Sequence, residues 1–190
     1  MIIRRIAKAD AGGGFSCGEP TLDAFLVKHA YRNDQAGIGR AYVILDAPDA
    51  DEILGYYTLS ASSATPELLK AVLGSALPKY PLPVSYIGMF AVTTSRQGQG
   101  IGSELMLDAL MRSAAAAHAV GSTGVFLHSR DEKSTAFYAK LGFVSLGTEA
   151  TRRPMFIPMS VVHRMMNDQA SRRAPRDTDR HDQADDRTSE

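Results

Sequence analysis

Arg96-Gln97-Gly98-Gln99-Gly100-Ile101-Gly102 runs directly into the helix-forming stretch Ser103-Glu104-Leu105-Met106-Leu107-Asp108-Ala109-Leu110. Three glycines on alternate positions leave the N–H groups of a tight turn uncovered by side chains. The turn feeds a helix N-terminus, where further N–H groups lack partners and the helix dipole is positive. Together they predict a pyrophosphate site. Two commoner Gly-rich loops do not fit. A P-loop carries Lys-Ser/Thr after its last glycine, whereas Gly102 is followed by Ser103 and Glu104. The dinucleotide fingerprint spaces its third glycine one position further on and needs an acid about 20 residues later; no acid lies between Asp108 and Asp131. A glycine-rich turn entering an ordinary core helix is the competing reading of the glycines alone.

The segments on either side supply strands and helices in alternation. Residues 84–92 read as a strand before the loop, and 125–129 as a strand after its helix, which runs to about His118. Glu104, Asp108 and Arg112 recur at four-residue spacing and mark the wet stripe of that helix, opposite Leu105, Met106, Ala109 and Leu110. Ser129-x-x-Glu132 is a capping-box pattern for the next helix, which Gly142 ends. Upstream, 2–6 reads as a strand and 20–33 as a helix with Leu22, Phe25, Leu26 and His29 on one stripe. Residues 40–46 and 53–62 flank a Pro-Asp turn and form an antiparallel hairpin. A short helix covers 66–73, and the prolines of 77–83 make an extended loop. Residues 143–146 and 155–157 read as closing strands. From Asp168 the chain is polar and free of aromatics, so 1–167 is expected to be the folded domain and 168–190 a disordered tail.

Formal net charge is zero, but it divides: 1–167 carries 16 Lys and Arg against 14 Asp and Glu, and 168–190 carries 5 against 7. A domain at net +2 gives little sign of a nucleic-acid partner. Cys17 is the sole cysteine, so no intrachain disulfide forms and a cytoplasmic location is expected. No apolar run reaches membrane-spanning length, and no signal peptide follows Arg4 and Arg5. His29, His118, His128 and His163 do not stand at metal-ligand spacing, so no metal is expected.

Gln97-x-x-Gly100-x-Gly102, preceded by Arg96, resembles the acyl-CoA motif of the GNAT acetyltransferases, and Tyr138-x-Lys140-Leu141-Gly142-Phe143 resembles that family's last helix and its exit into a strand. The resemblance runs from the N-terminus to about Met159. It implies a single α/β domain with a mixed, mostly antiparallel twisted sheet flanked by helices, and acetyl-CoA as donor. It implies a cofactor site made of Phe90, Ala91 and Val92, where the strand splays from its neighbour, of Arg96, Gln97, Gly98, Gln99, Gly100, Ile101 and Gly102, and of Asp131. Tyr138 takes the position of the general acid; a phenol with pKa near 10 suits a departing thiolate. Tyr56, Tyr57, Tyr80 and Tyr86 carry no motif that points to them, and Phe137 is read as core.

No acidic residue lies between Glu67 and Glu104, so the strand before the loop lacks the carboxylate base many such enzymes use. An amine of pKa near 10.4 is only about a thousandth neutral at pH 7.4, whereas an α-amine near 7.7–8.0 is about a quarter neutral. The gap suits an α-amine acceptor. Phe15-x-Cys17-Gly18-x-Pro20-x-Leu22-x-x-Phe25-Leu26, Arg40-Ala41-Tyr42-Val43 and Gly55-Tyr56-Tyr57-Thr58-Leu59-Ser60 resemble the GNAT toxins of bacterial toxin–antitoxin pairs. That resemblance implies aminoacyl-tRNA as substrate and a ribbon-helix-helix antitoxin as partner, and leaves a homodimer open. Lys28, Arg32, Arg40, Lys79, Arg152 and Arg153 are then the candidates for tRNA phosphates. The rival readings are an acetyltransferase for a small amine or a protein N-terminus, and a non-catalytic acyl-CoA-binding module acting through a protein partner.

Overall fold

The hairpin read at 40–62 forms the second and third strands of a seven-stranded sheet. β1 (Ile2–Arg5), β2 (Arg40–Leu45), β3 (Gly55–Ala64), β4 (Leu82–Val92), β5 (Gly124–Ser129), β6 (Val144–Ser145) and β7 (Arg153–Pro158) lie in the order β1-β2-β3-β4-β5-β7-β6. The computed structural model describes residues 1–12 and 14–173. Every neighbouring pair is antiparallel except β4 with β5, which is parallel. The mixed, mostly antiparallel sheet expected from the family resemblance is borne out.

Strand alternation divides the core between two faces. Val43, Leu45 and Tyr56 pack with Leu26 and Ala30 under α1 (Pro20–Phe25) and α2 (Tyr31–Gln35). On the same face Ala64, Val84 and Phe126 pack with Leu69 of α3 (Pro66–Leu73). Ile44, Tyr57, Ile87, Val125 and Leu127 face the opposite way. There they meet Leu105 and Met106 of α4 (Ile101–Val120), Tyr138 of α5 (Glu132–Lys140) and Val162 of α6 (Met159–Arg173).

Five expectations need correction. The first helix passes through a π-helical turn at Leu26–Ala30 before α2, and this wider turn rotates the stripe. Ala30 and Asp34 are therefore buried and His29 is exposed. β4 starts at Leu82 inside the expected proline loop; Pro83 is tolerated because pairing with β5 begins only at Ser85. Asp108 and Arg112 are half-buried instead of wet. Asp108 accepts a hydrogen bond from the Tyr57 hydroxyl and one from Arg112 Nε at 2.8 Å, and the Arg112 guanidinium lies 4.1 Å from the Tyr42 ring centre. The cap of α5 is Asp131, not Ser129, which belongs to β5 and bonds Thr135. Finally, α6 continues through Asp168 to Arg173, because no glycine or proline interrupts the chain before Pro175. The remainder of the expected tail, 174–190, lies outside the described residues.

Candidate active site

β4 and β5 pair only from Ser85 to Ile87 with Val125 to Leu127. A bulge then bends β4 away. Tyr57 faces Phe90 but Leu59 faces Ile87, so β4 carries one residue more than β3 across this step. Thr58 fills the irregularity by accepting the Met89 N–H on its Oγ1 at 2.9 Å. Gly88 gives Thr58 room there: a Cβ would sit 3.2 Å from Thr58 Oγ1, a tight contact. The extra residue also reverses the alternation, so Phe90 and Val92 turn to the α4 side and Ala91 to the α1 side. The strands open into a cleft of about 950 Å³ that runs through the sheet and is lined mainly by carbon.

At one end of the cleft is the loop before α4. Gly98 and Gly100 have φ of 78° and 89°, a left-handed backbone that glycine adopts without strain. A Cβ at either would meet nothing within 4 Å, so the loop's inner surface is bare backbone. Ser103 N–H and Glu104 N–H both turn back to Gly100 O, at 2.9 and 3.2 Å. Among the described residues, no acceptor meets the N–H groups of Gly98, Gln99, Gly100, Ile101 and Gly102. Consecutive free N–H groups at a helix N-terminus form an anion cradle. Gln97 holds the loop in place, its Nε2 donating to Cys17 O and Val92 O, both at 3.1 Å.

Midway along, Tyr138 comes from α5. The capping box of Asp131 and Ser134 starts the helix: Asp131 Oδ1 accepts the Ser134 N–H at 2.8 Å, and Ser134 Oγ accepts the Asp131 N–H at 3.0 Å. The ring of Tyr138 is held by Phe137, Phe143 and Phe90, with centroids 5.2, 5.9 and 6.0 Å away. It is buried, and burial pushes the phenol above its ordinary pKa, with Asp131 adding to the effect. Tyr56 donates its hydroxyl to Leu22 O at 2.8 Å, Tyr57 donates to Asp108, and Tyr86 meets His128. Among the described residues, nothing hydrogen-bonds the hydroxyl of Tyr138, which lines the cleft.

A sequence model of the acetyltransferase (GNAT) family matches residues 13–143. The chain belongs to the acetyltransferase (GNAT) family. The tRNA-acetylating toxin of Mycobacterium tuberculosis is 33% identical over 140 residues, 74% of this chain and 82% of that protein. Among solved structures, AtaT complexed with acetyl-methionyl-tRNAfMet is 30% identical at a TM-score of 0.73, over 87% of this chain and 98% of that one. A tyrosine-to-phenylalanine mutant of AtaT, bound to the C-terminus of the antitoxin AtaR and acetyl-CoA, is 29% identical at 0.70, over 87% and 97%. The donor of this acetyltransferase is acetyl-CoA, and its residues fit that group: a cradle of free N–H groups for the diphosphate, and a carbon-lined gap between strands that no longer pair.

Of the positions expected at the cofactor, Phe90, Ala91, Val92, Gln97, Gly98, Gly100, Gly102 and Asp131 line this cleft. Arg96, Gln99 and Ile101 do not. Arg96 pairs with Asp46 at 2.8 Å, Gln99 Nε2 donates to Ser95 O, and the Ile101 side chain is buried in the core. The Asp131 carboxylate is occupied by its cap, which holds its pKa below the ordinary value. Of the six basic positions only Arg152 lines the cleft, in a left-handed conformation at φ 53°. Arg153 is used internally, bonded to Glu149 O at 2.7 Å and Glu132 at 3.1 Å. Lys28, Arg32, Arg40 and Lys79 are exposed away from the cleft; Arg40 donates to Asp34 O at 2.7 Å and Arg32 to His29 Nδ1 at 3.1 Å. Sequence reasoning missed Glu19 and Arg130, an ion pair that links the start of α1 to the end of β5 at the cleft. The two are far apart in sequence and share no motif. Among the described residues no three His, Cys, Asp or Glu side chains converge as metal ligands would, and no helix is long and apolar enough to cross a membrane.

Proposed function

We propose that this acetyltransferase acetylates the α-amino group of aminoacyl-tRNA, acting in the cytoplasm as the toxin of a toxin–antitoxin pair. The observation that carries the reading is the far end of the cleft. Arg152 stands there beside Tyr86 and His128, and the cleft's carboxylates, Glu19 and Asp131, are both engaged elsewhere. A cation at that end repels polyamines and lysine side chains and attracts a phosphate; aromatic rings suit an unpaired base. The relatives support the same substrate: one is named for tRNA acetylation, and another was solved with acetyl-methionyl-tRNAfMet.

Bound acetyl-CoA supplies the activated acetyl group. The N–H groups of Gly98, Gly100 and Gly102 would hold its diphosphate, and Phe90, Ala91 and Val92 would line the path of the arm. Tyr138, kept protonated by burial, donates its proton at the leaving sulfur. Lys28, Arg32, Arg40, Lys79 and Arg152 contact the tRNA backbone outside and at the mouth of the cleft, while Arg153 stays in its bonds to Glu149 and Glu132. A ribbon-helix-helix antitoxin as inhibitor and a homodimer belong to the same proposal; AtaT bound to the antitoxin AtaR supports an antitoxin partner. The test is to incubate the full chain with acetyl-CoA and charged tRNA, release the 3′-terminal nucleoside with nuclease, and weigh it. N-acetylaminoacyl-adenosine is expected, with none from deacylated tRNA. Acetylation of polyamines or lysine peptides in preference to charged tRNA would refute the proposal.

A further inference from the structure

One proton of the transfer still needs an acceptor in the protein. As the new N–C bond forms, the acceptor nitrogen must lose a proton; as the C–S bond breaks, the sulfur must gain one. Tyr138 gives the second. The first needs an acceptor within the cleft.

The cleft offers few. Asp131 accepts the Ser134 N–H at the cap of α5, and Glu19 is paired with Arg130. Burial pushes the Cys17 thiol up to about 12, with Asp23 adding to it, so the thiol stays protonated. Arg130, Lys133 and Arg152 are donors only. His128 remains. It leaves β5 on the face opposite Tyr138, one residue beyond the last position at which β5 pairs with β4, where the cleft opens. Its Nδ1 is 3.2 Å from Tyr86 Oη, and the ring is set edge-on against Phe126 at 5.1 Å and Tyr86 at 6.0 Å. Among the described residues, Nε2 has no hydrogen-bond partner. Burial and Arg152 hold the imidazole pKa below its ordinary value, with Glu149 acting the other way. The ring is therefore neutral near pH 7, with a lone pair to use.

We propose that His128 is the general base of the transfer, and that Tyr86 positions it. Nδ1–H donates to Tyr86 Oη, which turns the lone pair of Nε2 to the cleft. Nε2 takes the proton that the amine releases, directly or through one water, and returns it to solvent at the cleft mouth. Tyr138 recovers its proton from solvent, so the cycle closes without another reactant. The inference rests on acetyl transfer to an α-amine with Tyr138 as acid.

Two measurements on the full chain test it. Nitrogen-15 NMR of the histidine rings, with His128→Gln identifying the resonance, reads the tautomer without any acceptor present. The Nδ1–H form is expected near pH 7, and the Nε2–H form overturns the proposal. Kinetics with charged tRNA then compare His128→Gln with the parent chain. The variant is expected to lose about 10²-fold or more in kcat at unchanged acetyl-CoA affinity. On the acid side, below the lowered imidazole pKa, the slope of log kcat/KM against pH is expected to fall from about two to about one, as one of two titrations is removed. Tyr86→Phe keeps the ring and removes the acceptor oxygen; a smaller loss with the steep limb displaced is expected. A His128→Gln chain within threefold of the parent, or slowed equally at every pH, overturns the proposal. If the parent chain does not turn over charged tRNA, the substrate reading fails by itself, while the tautomer still decides for or against His128.

Discussion

Replacing Gly100 with alanine separates the loop's binding role from its part in the fold. Gly100 caps α4 at φ 89°, and an added Cβ would meet nothing within 4 Å. The cost is therefore backbone strain alone, about 1–2 kcal/mol for an L-residue in the left-handed region. For a domain of this size that lowers Tm by roughly 2–8 °C. Gly121, at the other end of the same helix, is a control for strain away from the cleft; its ψ of 135° lies outside the left-handed helical region, so alanine costs at least as much there. Its φ is 78° and its Cβ would also meet nothing within 4 Å. Strain at Gly100 relaxes by turning neighbouring N–H groups out of the cradle. Each hydrogen bond lost to a charged diphosphate oxygen is worth about 1.5–3 kcal/mol, or roughly 10- to 150-fold in Kd. Calorimetric titration with acetyl-CoA and thermal melts of both variants should give a loss of Tm in Gly121→Ala at least as large as in Gly100→Ala, with weakened binding in Gly100→Ala alone. Equal Kd values in the two variants would refute the cradle, as would a Gly121→Ala chain that binds as poorly as Gly100→Ala.

Tyr138→Phe removes a hydroxyl that bonds no described residue, so the unfolding free energy should stay within the roughly 0.5 kcal/mol typical of a silent change, while kcat falls about 10²–10⁴-fold in a charged-tRNA assay. Arg152→Ala should raise KM for charged tRNA and flatten its salt dependence by about one phosphate contact, without altering acetyl-CoA binding by calorimetry. Asp34 is buried against Arg5 Nη2 at 2.7 Å and the Ala41 N–H at 3.1 Å. Burial raises its pKa, but the bonds from Arg5 and Ala41 outweigh burial and leave it lowered. Its stabilisation is present above the unfolded pKa of about 3.9 and disappears as pH falls through the folded value. Melts of Asp34→Asn across pH 2.5–7 (roughly the span of carboxylate titration) should lie below the parent near neutrality and converge with it in acid.

Local signals decided what could be read in advance. The strand–glycine–helix passage at 84–110, the hairpin and α3 each follow from the period of the apolar residues and the nearby turn chemistry. The nonlocal parts were hidden. Ser129-x-x-Glu132 and Asp131-x-x-Ser134 are both plausible caps, and what decides is that Ser129 is already paired to Arg153 within the sheet. The pairing of Tyr57 with Asp108 joins β3 to α4, so spacing along α4 alone made Asp108 look solvated. The bulge at Gly88 leaves no mark on a period-two pattern, yet it opens the cleft and turns Phe90 towards Tyr138. His128 and Tyr86 lie on different strands, and only their register makes them neighbours.

The diphosphate grip is tested most directly by calorimetry of the full chain with acetyl-CoA and with acetyl-pantetheine, which has the same thioester arm and no diphosphate. Free N–H groups at 98–102 predict measurable uptake of acetyl-CoA, and binding of acetyl-pantetheine weaker by about 10²-fold or more, as two or more charge-assisted bonds are lost. Equal affinity for the two, or no uptake of acetyl-CoA by the folded chain, would contradict it.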